Sequence, residues 1–291
     1  MAKPLILSIG ADGRFAGLVV PELVRRGARI RGFVHRPERA DIAKAKGATE
    51  IAIGDLHDSG SLDTALKGVD GVFYIAPVFA HQESQLGLNM VAAAQRAGVR
   101  RFVFSSVIHP TLDLENHTAK GPVESALYTS GMEFVVLHPA PFYQNLESGW
   151  PAVLERGVIA QPFSKKAKLS YVDYRDVAEV AAIALTEDRL TYGTFELCAE
   201  GLLNREDIAQ MMSKALGQKI EAAEPPFHDW VEKARLPYDE RQKQMLQKMF
   251  ESYDAHGISG NSLTLRAILE REPRALRQFI EELAARSRAA A

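Results

Sequence analysis

The chain has 291 residues, a formal net charge of -2 and a hydrophobic content of 46%, enough for one large core or two smaller ones. Its charges are interspersed, which excludes the basic surface typical of proteins that bind nucleic acid or anionic membranes. The single cysteine, Cys198, excludes an internal disulfide framework and favours a reducing compartment. No apolar run reaches the roughly 20 residues of a membrane-spanning helix. We therefore expect a cytoplasmic protein.

An apolar strand, Leu5 to Ile9, opens the chain and runs into a glycine-rich turn. Gly10 and Gly13 let the backbone approach a pyrophosphate, and a helix that starts at about Arg14 directs its unpaired N–H groups at that phosphate. Ala16 takes the third small position. The spacing is thus G-x-x-G-x-x-A, not the usual G-x-G-x-x-G, so the motif predicts a dinucleotide site only together with its context.

The second strand, Ile30 to Val34, ends in His35 and Arg36, with Arg39 close behind. A chain that binds NAD(H) places an acidic residue here for the ribose 2′-hydroxyl. A cation suits a 2′-phosphate, so the pattern predicts NADP(H). The alternative is that Arg36 and Arg39 are solvated charges at the start of a surface helix.

Strands and helices alternate through the first half, which is typical of a parallel sheet covered on both faces. We expect a doubly wound α/β Rossmann fold, with an NADP(H)-binding core over 1–150. A smaller, mainly helical lobe over 151–291 would cover the cofactor cleft and return some segments to the core. The six predicted core strands are Leu5–Ile9, Ile30–Val34, Glu50–Ile53, Gly71–Ile75, Arg101–Ser105 and Glu133–Leu137. The predicted helices include Pro37–Lys46, Ser61–Leu66, Gln82–Ala97, His117–Ser130, Val177–Leu185, Asn204–Leu216 and Pro273–Arg288, with a strand at Thr194–Cys198 and helical structure over 225–260.

The residues directly after each strand are site candidates, because such sheets bind ligands at the carboxyl ends of their strands. Asp55 can accept a hydrogen bond from an adenine amino group, or it caps a turn or helix. Ser105 can reach a nicotinamide or a substrate carbonyl, or it caps the strand end. The histidines near these ends lack a compact ligand spacing, so we expect no metal site.

Segments spread along nearly the whole chain carry a further pattern. They are residues 10–16, 34–37, 54–56, 101–107, 117–124, 130–131, 137–145, 172–178, 257–261 and 271–274. Together they resemble the NmrA-like family, an atypical branch of the short-chain dehydrogenase/reductase superfamily. The resemblance implies a Rossmann fold that binds NAD(P), and it leaves two activities open, because the family holds NADPH-dependent reductases as well as redox-sensing regulators without known turnover.

The turn, the strand ends and the resemblance together define the predicted site. Lys120 matches the family's lysine, which implies a hydrogen bond to the nicotinamide ribose; alternatively it is an exposed helix lysine. The predicted cofactor-binding residues are Gly10, Asp12, Gly13, Arg14, Phe15, His35, Arg36, Arg39, Asp55, Leu56, Ala76, Pro77, Ser105, Lys120, Pro139 and Phe142.

Short-chain dehydrogenases usually carry a Tyr-x-x-x-Lys pair, in which the lysine lowers the tyrosine pKa so that the phenol relays a proton. No tyrosine in this chain has a lysine four residues on, and Asn116 stands four before Lys120. His117 lies on the same helix face as Lys120 and has a side chain suited to proton delivery at neutral pH. It is either the proton donor or a surface or capping histidine, and we take Lys120 and His117 as the catalytic candidates.

We expect an NADPH-dependent reductase that passes hydride to a quinone, an enone or another conjugated carbonyl without the tyrosine relay. Its partner would be a small apolar or aromatic molecule. Aromatic residues of the second half either wall a pocket for it or form the core. The alternative is an NADP(H)-sensing regulator without turnover, which would bind a protein partner.

Overall fold

The computed structural model describes residues 3–290 and shows the alternation that the hydrophobic pattern predicts. Its first elements are β1 Leu5–Ile9, α1 Ala16–Arg25, β2 Arg29–Val34, α2 Ala40–Ala45, β3 Glu50–Ile53, α3 Ser59–Ala65, β4 Gly71–Ile75, α4 Glu83–Arg96, β5 Arg101–Ser105, α5 Glu115–Thr118, α6 Gly121–Tyr128 and β6 Glu133–Pro139. The later elements are α7 Leu146–Arg156, β7 Val158–Ala160, α8 Tyr174–Thr186, β8 Gly193–Leu197, α9 Arg205–Leu216, β9 Glu221–Ala223, α10 Phe227–Ala234, α11 Glu240–His256, α12 Leu263–Leu269 and α13 Leu276–Ala290, with 3₁₀ turns at Pro37–Arg39 and Tyr143–Asn145.

Seven strands of the described chain form one sheet in the order β3-β2-β1-β4-β5-β6-β8. The pairs from β3 through β6 are parallel. The strand order therefore reverses between β1 and β4, the switch point at which doubly wound sheets bind ligands. The predicted Rossmann-type fold is confirmed. The sheet has one strand more than the six that we predicted for the core. The additional strand is β8, which we predicted at Thr194–Cys198 and which extends the same sheet beyond β6.

One face of this sheet packs on α3, α4 and α6. Its core contains alternate residues of neighbouring strands, such as Leu7, Tyr74 and Phe102, together with Met90 of α4 and Leu127 of α6. The helix α8 packs on α1 and also contacts β4, β5 and β6. Helices therefore cover the sheet, as its nearly continuous apolar strands require.

Several predicted helix bounds were wrong for local reasons. The first helix begins at Ala16, not Arg14, because residues 10–15 form a turn. The helix predicted over His117–Ser130 is two helices, α5 and α6, that meet at Lys120. Pro122 lies in the first turn of α6, where its missing N–H costs no hydrogen bond, so a proline favours a new helix start there.

The chain divides into two compact units. The first comprises residues 3–139 and 174–196, and the second comprises 140–173 and 197–290. The break thus follows Pro139 instead of residue 150, and α8 belongs to the first unit. The second unit is mainly helical, with α7, α9 and α13 around a core and a two-stranded sheet of β7 and β9. Its role as a substrate lobe stays a prediction.

No helix among residues 3–290 is long and apolar enough to cross a membrane.

Candidate functional site

A cleft of about 680 Å³ lies in the first unit at the carboxyl ends of β1, β2 and β3. It brings together eight of the predicted cofactor-binding residues: Gly10, Asp12, His35, Arg36, Arg39, Asp55, Leu56 and Pro77. The prediction missed five others that line it: Ile9, Phe33, Gly54, His57 and Leu86. The apolar residues among these five, Ile9, Phe33 and Leu86, belong to strands or helices, where the sequence pattern predicts residues of the hydrophobic core.

The glycine-rich turn forms one part of the cleft. Gly10 has φ +68°, which favours glycine, and its N–H donates to the Phe33 carbonyl at 3.0 Å. The Gly13 N–H donates to the Gly10 carbonyl at 2.7 Å. A Cβ at Gly13 would lie 2.9 Å from that same oxygen. The turn therefore requires glycine at both positions, and its compact backbone leads directly into α1.

The start of α1 has the electrostatics of an anion site. Its N-cap residue, Phe15, supplies no side-chain cap to the first N–H groups of the helix, and no acidic residue lies in the first turn. The Phe15 ring instead packs on Tyr174, with ring centroids 5.1 Å apart. The Arg14 guanidinium lies 5.5 Å from the centroid of the Phe15 ring. Helix N-termini of this kind bind phosphate through backbone N–H groups and the helix dipole.

The residues that follow β2 in this cleft are His35 and Arg36, where a chain that binds NAD(H) places an acidic residue. The exposed side chain of Arg36 lines it and, among the described residues, forms no hydrogen bond or ion pair. Arg39 donates from Nε to the Asp12 carboxylate at 2.6 Å. The Nδ1 atom of His35 lies 3.4 Å from the Gly54 carbonyl oxygen. Arg36 is thus available to an anionic ligand, while Arg39 also neutralises Asp12.

Asp55 has a defined structural role beside its place in the cleft. Its Oδ1 accepts from the His57 backbone N–H at 2.9 Å, so the carboxylate closes the turn after β3. Asp58, not Asp55, is the N-cap of α3 and accepts from the Gly60 N–H at 2.9 Å. The structure therefore shows Asp55 in the turn-capping role that we gave as its alternative. A contact from Asp55 to an adenine stays a prediction.

Lys120 does not line the cleft. Its ammonium forms an ion pair with Glu83 of α4, and only 13% of its side chain and 5% of the Glu83 side chain are exposed. The exposed-lysine alternative is therefore wrong, and the structure shows a buried pair that joins the start of α6 to α4. A contact from Lys120 to a ribose stays a prediction.

His117 is fully buried, which argues against a surface or capping histidine and against a proton donor. Its Nδ1 donates to the His109 carbonyl at 3.0 Å, so Nε2 is the acceptor of the neutral ring. That Nε2 is buried and has no hydrogen-bond partner among residues 3–290. Burial lowers the pKa of His117 below its ordinary 6.5. A neutral, enclosed imidazole is poorly suited to protonate a substrate at neutral pH, so the burial of His117 argues against this prediction, which no substrate contact tests.

The remaining predicted residues lie outside the lining of the cleft. Ser105 is buried, and its Oγ accepts from the Tyr174 hydroxyl at 3.1 Å. The Pro139 carbonyl accepts from the Ile108 N–H at 3.0 Å. Ala76 is half-buried directly after β4. Phe142 belongs to the second unit, where it pairs with Val172.

A polar network lies at the ends of β5 and β6, where it joins two strand-end candidates of the sequence pattern, Ser106 and His138, to Glu124, which that pattern did not indicate. Glu124 of α6 accepts from the Ser106 hydroxyl at 2.5 Å, from His138 Nε2 at 2.9 Å and from the Tyr128 hydroxyl at 3.1 Å. Burial alone would raise the pKa of Glu124, but the hydrogen bonds from His138, Ser106 and Tyr128 outweigh it and lower the pKa. The carboxylate is therefore ionised, and it fixes both strand ends to α6.

Comparison with known proteins places the chain in a family. Residues 2–283 match the family model described as the NmrA-like family. The chain belongs to the NmrA-like family. It is 30% identical over 218 residues to an NAD(P)H azoreductase of Xenophilus azovorans, which covers 74% of this chain and 75% of the relative.

Two solved structures share the fold of this NmrA-like chain. The triphenylmethane reductase of Citrobacter sp. superposes with a TM-score of 0.86 at 21% identity, over 97% of this chain and 99% of the other. The NADPH-dependent quinone oxidoreductase of Escherichia coli, solved with NADPH, superposes with a TM-score of 0.83 at 22% identity, over 96% and 99%. At these identities the likeness establishes the fold.

Proposed function

We propose that this chain is an NADPH-dependent oxidoreductase that transfers hydride to a quinone, an enone or another conjugated carbonyl. The observation that carries the proposal is the charge pattern of the cleft. A glycine turn and an uncapped helix N-terminus lie at one strand end, and Arg36 and Arg39 follow the next strand. The 30%-identical relative is named as an NAD(P)H azoreductase, which supports a reductase.

The residues of the cleft fit NADP(H) part by part. The start of α1, with the compact backbone at Gly10 and Gly13 before it, would hold the pyrophosphate through backbone N–H groups and the helix dipole. Arg36 would bind the 2′-phosphate through charge-assisted hydrogen bonds, while Arg39 neutralises Asp12 beside it. Asp55 and Leu56 line the part of the cleft that suits the adenine. The bound cofactor supplies the hydride.

The class of acceptor follows from the missing proton relay. No Tyr-x-x-x-Lys pair exists in the sequence, Lys120 is paired with Glu83, and His117 is buried and neutral. Hydride addition to a simple ketone or aldehyde produces an alkoxide that needs a proton donor in place. A conjugated acceptor produces a delocalised anion that water protonates, so its reduction needs no such residue.

The same observation also favours a second candidate, an NADP(H)-sensing regulator without turnover. A sensor needs the cleft and the cationic edge, but it needs neither Lys120 nor His117 beside a substrate. It would respond to the cofactor and release or bind a protein partner.

Steady-state NADPH oxidation against a panel of quinones, enones, azo compounds and simple aldehydes tests the proposal. We expect turnover with conjugated acceptors, little or none with aldehydes, and a higher KM for NADH than for NADPH. The Arg36→Ala variant connects turnover to the proposed cofactor site, since it should raise the KM for NADPH and leave kcat with saturating cofactor nearly unchanged. Tight NADPH binding with no turnover in the whole panel would replace the reductase with the sensor.

A further inference from the structure

Lys46 lies beneath the glycine-rich turn rather than in the cleft. It directly follows α2, and its half-buried side chain extends to the turn between β1 and α1. Its Nζ donates to the Gly13 carbonyl at 2.7 Å and to the Asp12 carbonyl at 3.3 Å. One ammonium therefore holds two consecutive peptide groups of the turn that the proposed function assigns to the pyrophosphate.

Gly17 provides the space for this ammonium. A Cβ at Gly17 would lie 1.9 Å from the Lys46 Nζ and 2.9 Å from its Cδ and Cε. The end of the lysine side chain thus passes directly over the Gly17 Cα in the first turn of α1. This contact explains why a glycine follows Ala16, a position that the dinucleotide fingerprint does not specify.

The contact with Lys46 affects the orientation of the peptide group between Gly13 and Arg14. In a trans peptide the carbonyl and the N–H of the same unit point in opposite directions. The Gly13 carbonyl shares its peptide unit with the Arg14 N–H. The same carbonyl also accepts from the Gly17 N–H at 3.2 Å. Because Lys46 and the Gly17 N–H both hold this carbonyl, the Arg14 N–H is directed away from them, to the other side of the turn.

The charges around Lys46 fit a fixed cation. Burial lowers the pKa of Lys46, the Asp12 carboxylate raises it, and the Arg39 guanidinium lowers it, with a net decrease from the ordinary value. The ammonium is therefore partly desolvated, and its hydrogen bonds to the two carbonyls compensate for lost water. A cation in this environment adds positive potential directly below a phosphate site.

We propose that Lys46 is a positioning residue for the pyrophosphate turn. It orients the Gly13–Arg14 peptide unit so that the Arg14 N–H presents to the phosphates, while the Gly13 N–H stays bonded to the Gly10 carbonyl, and it touches neither the cofactor nor the 2′-phosphate. The inference rests on the proposed NADP(H) site, and it adds to that site a residue from the end of α2.

Calorimetric titration of the full-length protein with NADP⁺ and with adenosine 2′-phosphate tests the inference. The second probe carries the 2′-phosphate but no pyrophosphate. Lys46→Met should weaken NADP⁺ binding at least tenfold and change adenosine 2′-phosphate binding less than twofold. Arg36→Ala should weaken both. The matched control is Lys44→Met, since Lys44 is an exposed lysine of the preceding helix α2 that pairs with Asp41, and it should leave both affinities within twofold.

A double-substitution cycle gives an independent measurement. Gly17→Ala should weaken NADP⁺ binding in the wild type, because the methyl group displaces the ammonium. In a Lys46→Ala background the same Gly17→Ala change should cost no further affinity. Circular dichroism establishes whether each variant is folded. If Lys46→Met does not fold, Gly17→Ala alone still tests the contact.

Distinct results separate the possible failures. Wild-type protein that binds no NADP⁺ contradicts the proposed cofactor site itself. Wild-type binding that Lys46→Met leaves unchanged, or a parallel loss of adenosine 2′-phosphate binding, overturns the role of Lys46 while the cofactor site stands. Additive effects of Gly17→Ala and Lys46→Ala would overturn it as well.

Discussion

The Arg39 guanidinium and the Asp12 carboxylate form an ion pair, with Nε and Oδ2 2.6 Å apart, that joins the segment after β2 to the glycine-rich turn. The Asp12 side chain is 16% exposed, whereas that of Arg39 is 47% exposed. Arg39 thus has solvent-facing donors beyond the one that Asp12 accepts. The pair neutralises a carboxylate that would otherwise repel a bound phosphate. Arg39 therefore compensates the charge of Asp12, whereas Arg36 is available to an anionic ligand.

We predict that NADPH binds at least tenfold more tightly than NADH and that Arg36 carries this preference. Arg36→Ala should weaken NADPH binding roughly 10- to 100-fold, the loss of charge-assisted hydrogen bonds worth ~1.5 to 3 kcal/mol, and leave NADH binding nearly unchanged. Arg39→Ala should weaken both cofactors, because it leaves the Asp12 carboxylate unpaired, and Asp12→Asn should restore NADH binding in that variant. Calorimetry measures all affinities, and equal wild-type affinities would contradict the assignment.

The turn itself gives a second prediction. Gly13→Ala should reduce NADP⁺ affinity at least tenfold in a folded protein, and Gly13→Val should abolish binding, since a Cβ there would meet the Gly10 carbonyl at 2.9 Å. Gly149→Ala is the control, because a Cβ at Gly149 meets no atom within 4 Å. Normal affinity in folded Gly13→Val would show that the phosphates bind elsewhere.

Lys120 and Glu83 provide a prediction on stability. Lys120→Met should lower the free energy of unfolding at pH 7 by about 3 kcal/mol, because it removes the ammonium that Lys120 provides to the buried Glu83 carboxylate. Adding Glu83→Gln should restore most of that loss. Lys44→Met removes an exposed pair and should cost less than about 0.5 kcal/mol. Urea titrations measure the three variants; a loss of less than ~1 kcal/mol for Lys120→Met would show that the pair contributes little.

The buried state of His117 predicts a pH dependence. Because burial lowers its pKa in the folded protein below 6.5, the unfolded chain binds a proton at this residue before the folded chain does. Folding stability should therefore decrease as the pH falls below about 6.5, and His117→Asn should reduce the decrease between pH 7.5 and 5.5. His228→Asn, at an exposed histidine, should leave the slope unchanged. A slope that His117→Asn does not alter, or a His117 titration between pH 7 and 8 by NMR, would contradict the assignment.

The sequence predicted the fold and the glycine-rich turn well, because both depend on local patterns. Buried parallel strands are continuous apolar runs, and the buried strands β1, β4 and β5 were located at their observed bounds. Gly10 and Gly13 lie where the backbone of the turn has no room or no suitable conformation for a side chain, and glycine in the sequence indicates such positions.

The other candidates depended on contacts that are distant in the sequence, and these were not predictable from the pattern. Lys120 and Glu83 are 37 residues apart, and Lys46 and Gly13 are 33 apart. The burial of His117 likewise depends on the packing of the loop that carries the His109 carbonyl. Spacing along one helix placed His117 beside Lys120 but gave no information about which of them faces solvent.

Single-turnover kinetics test the central claim most directly. The protein with one equivalent of bound NADPH is mixed in a stopped-flow instrument with the best conjugated acceptor, and the absorbance of the reduced nicotinamide is followed. A reductase predicts loss of one equivalent of bound NADPH, with matching formation of reduced acceptor, at a rate far above that of free NADPH with the same acceptor. Bound NADPH that reacts no faster than free NADPH with every acceptor of the panel would contradict a catalytic role for this chain.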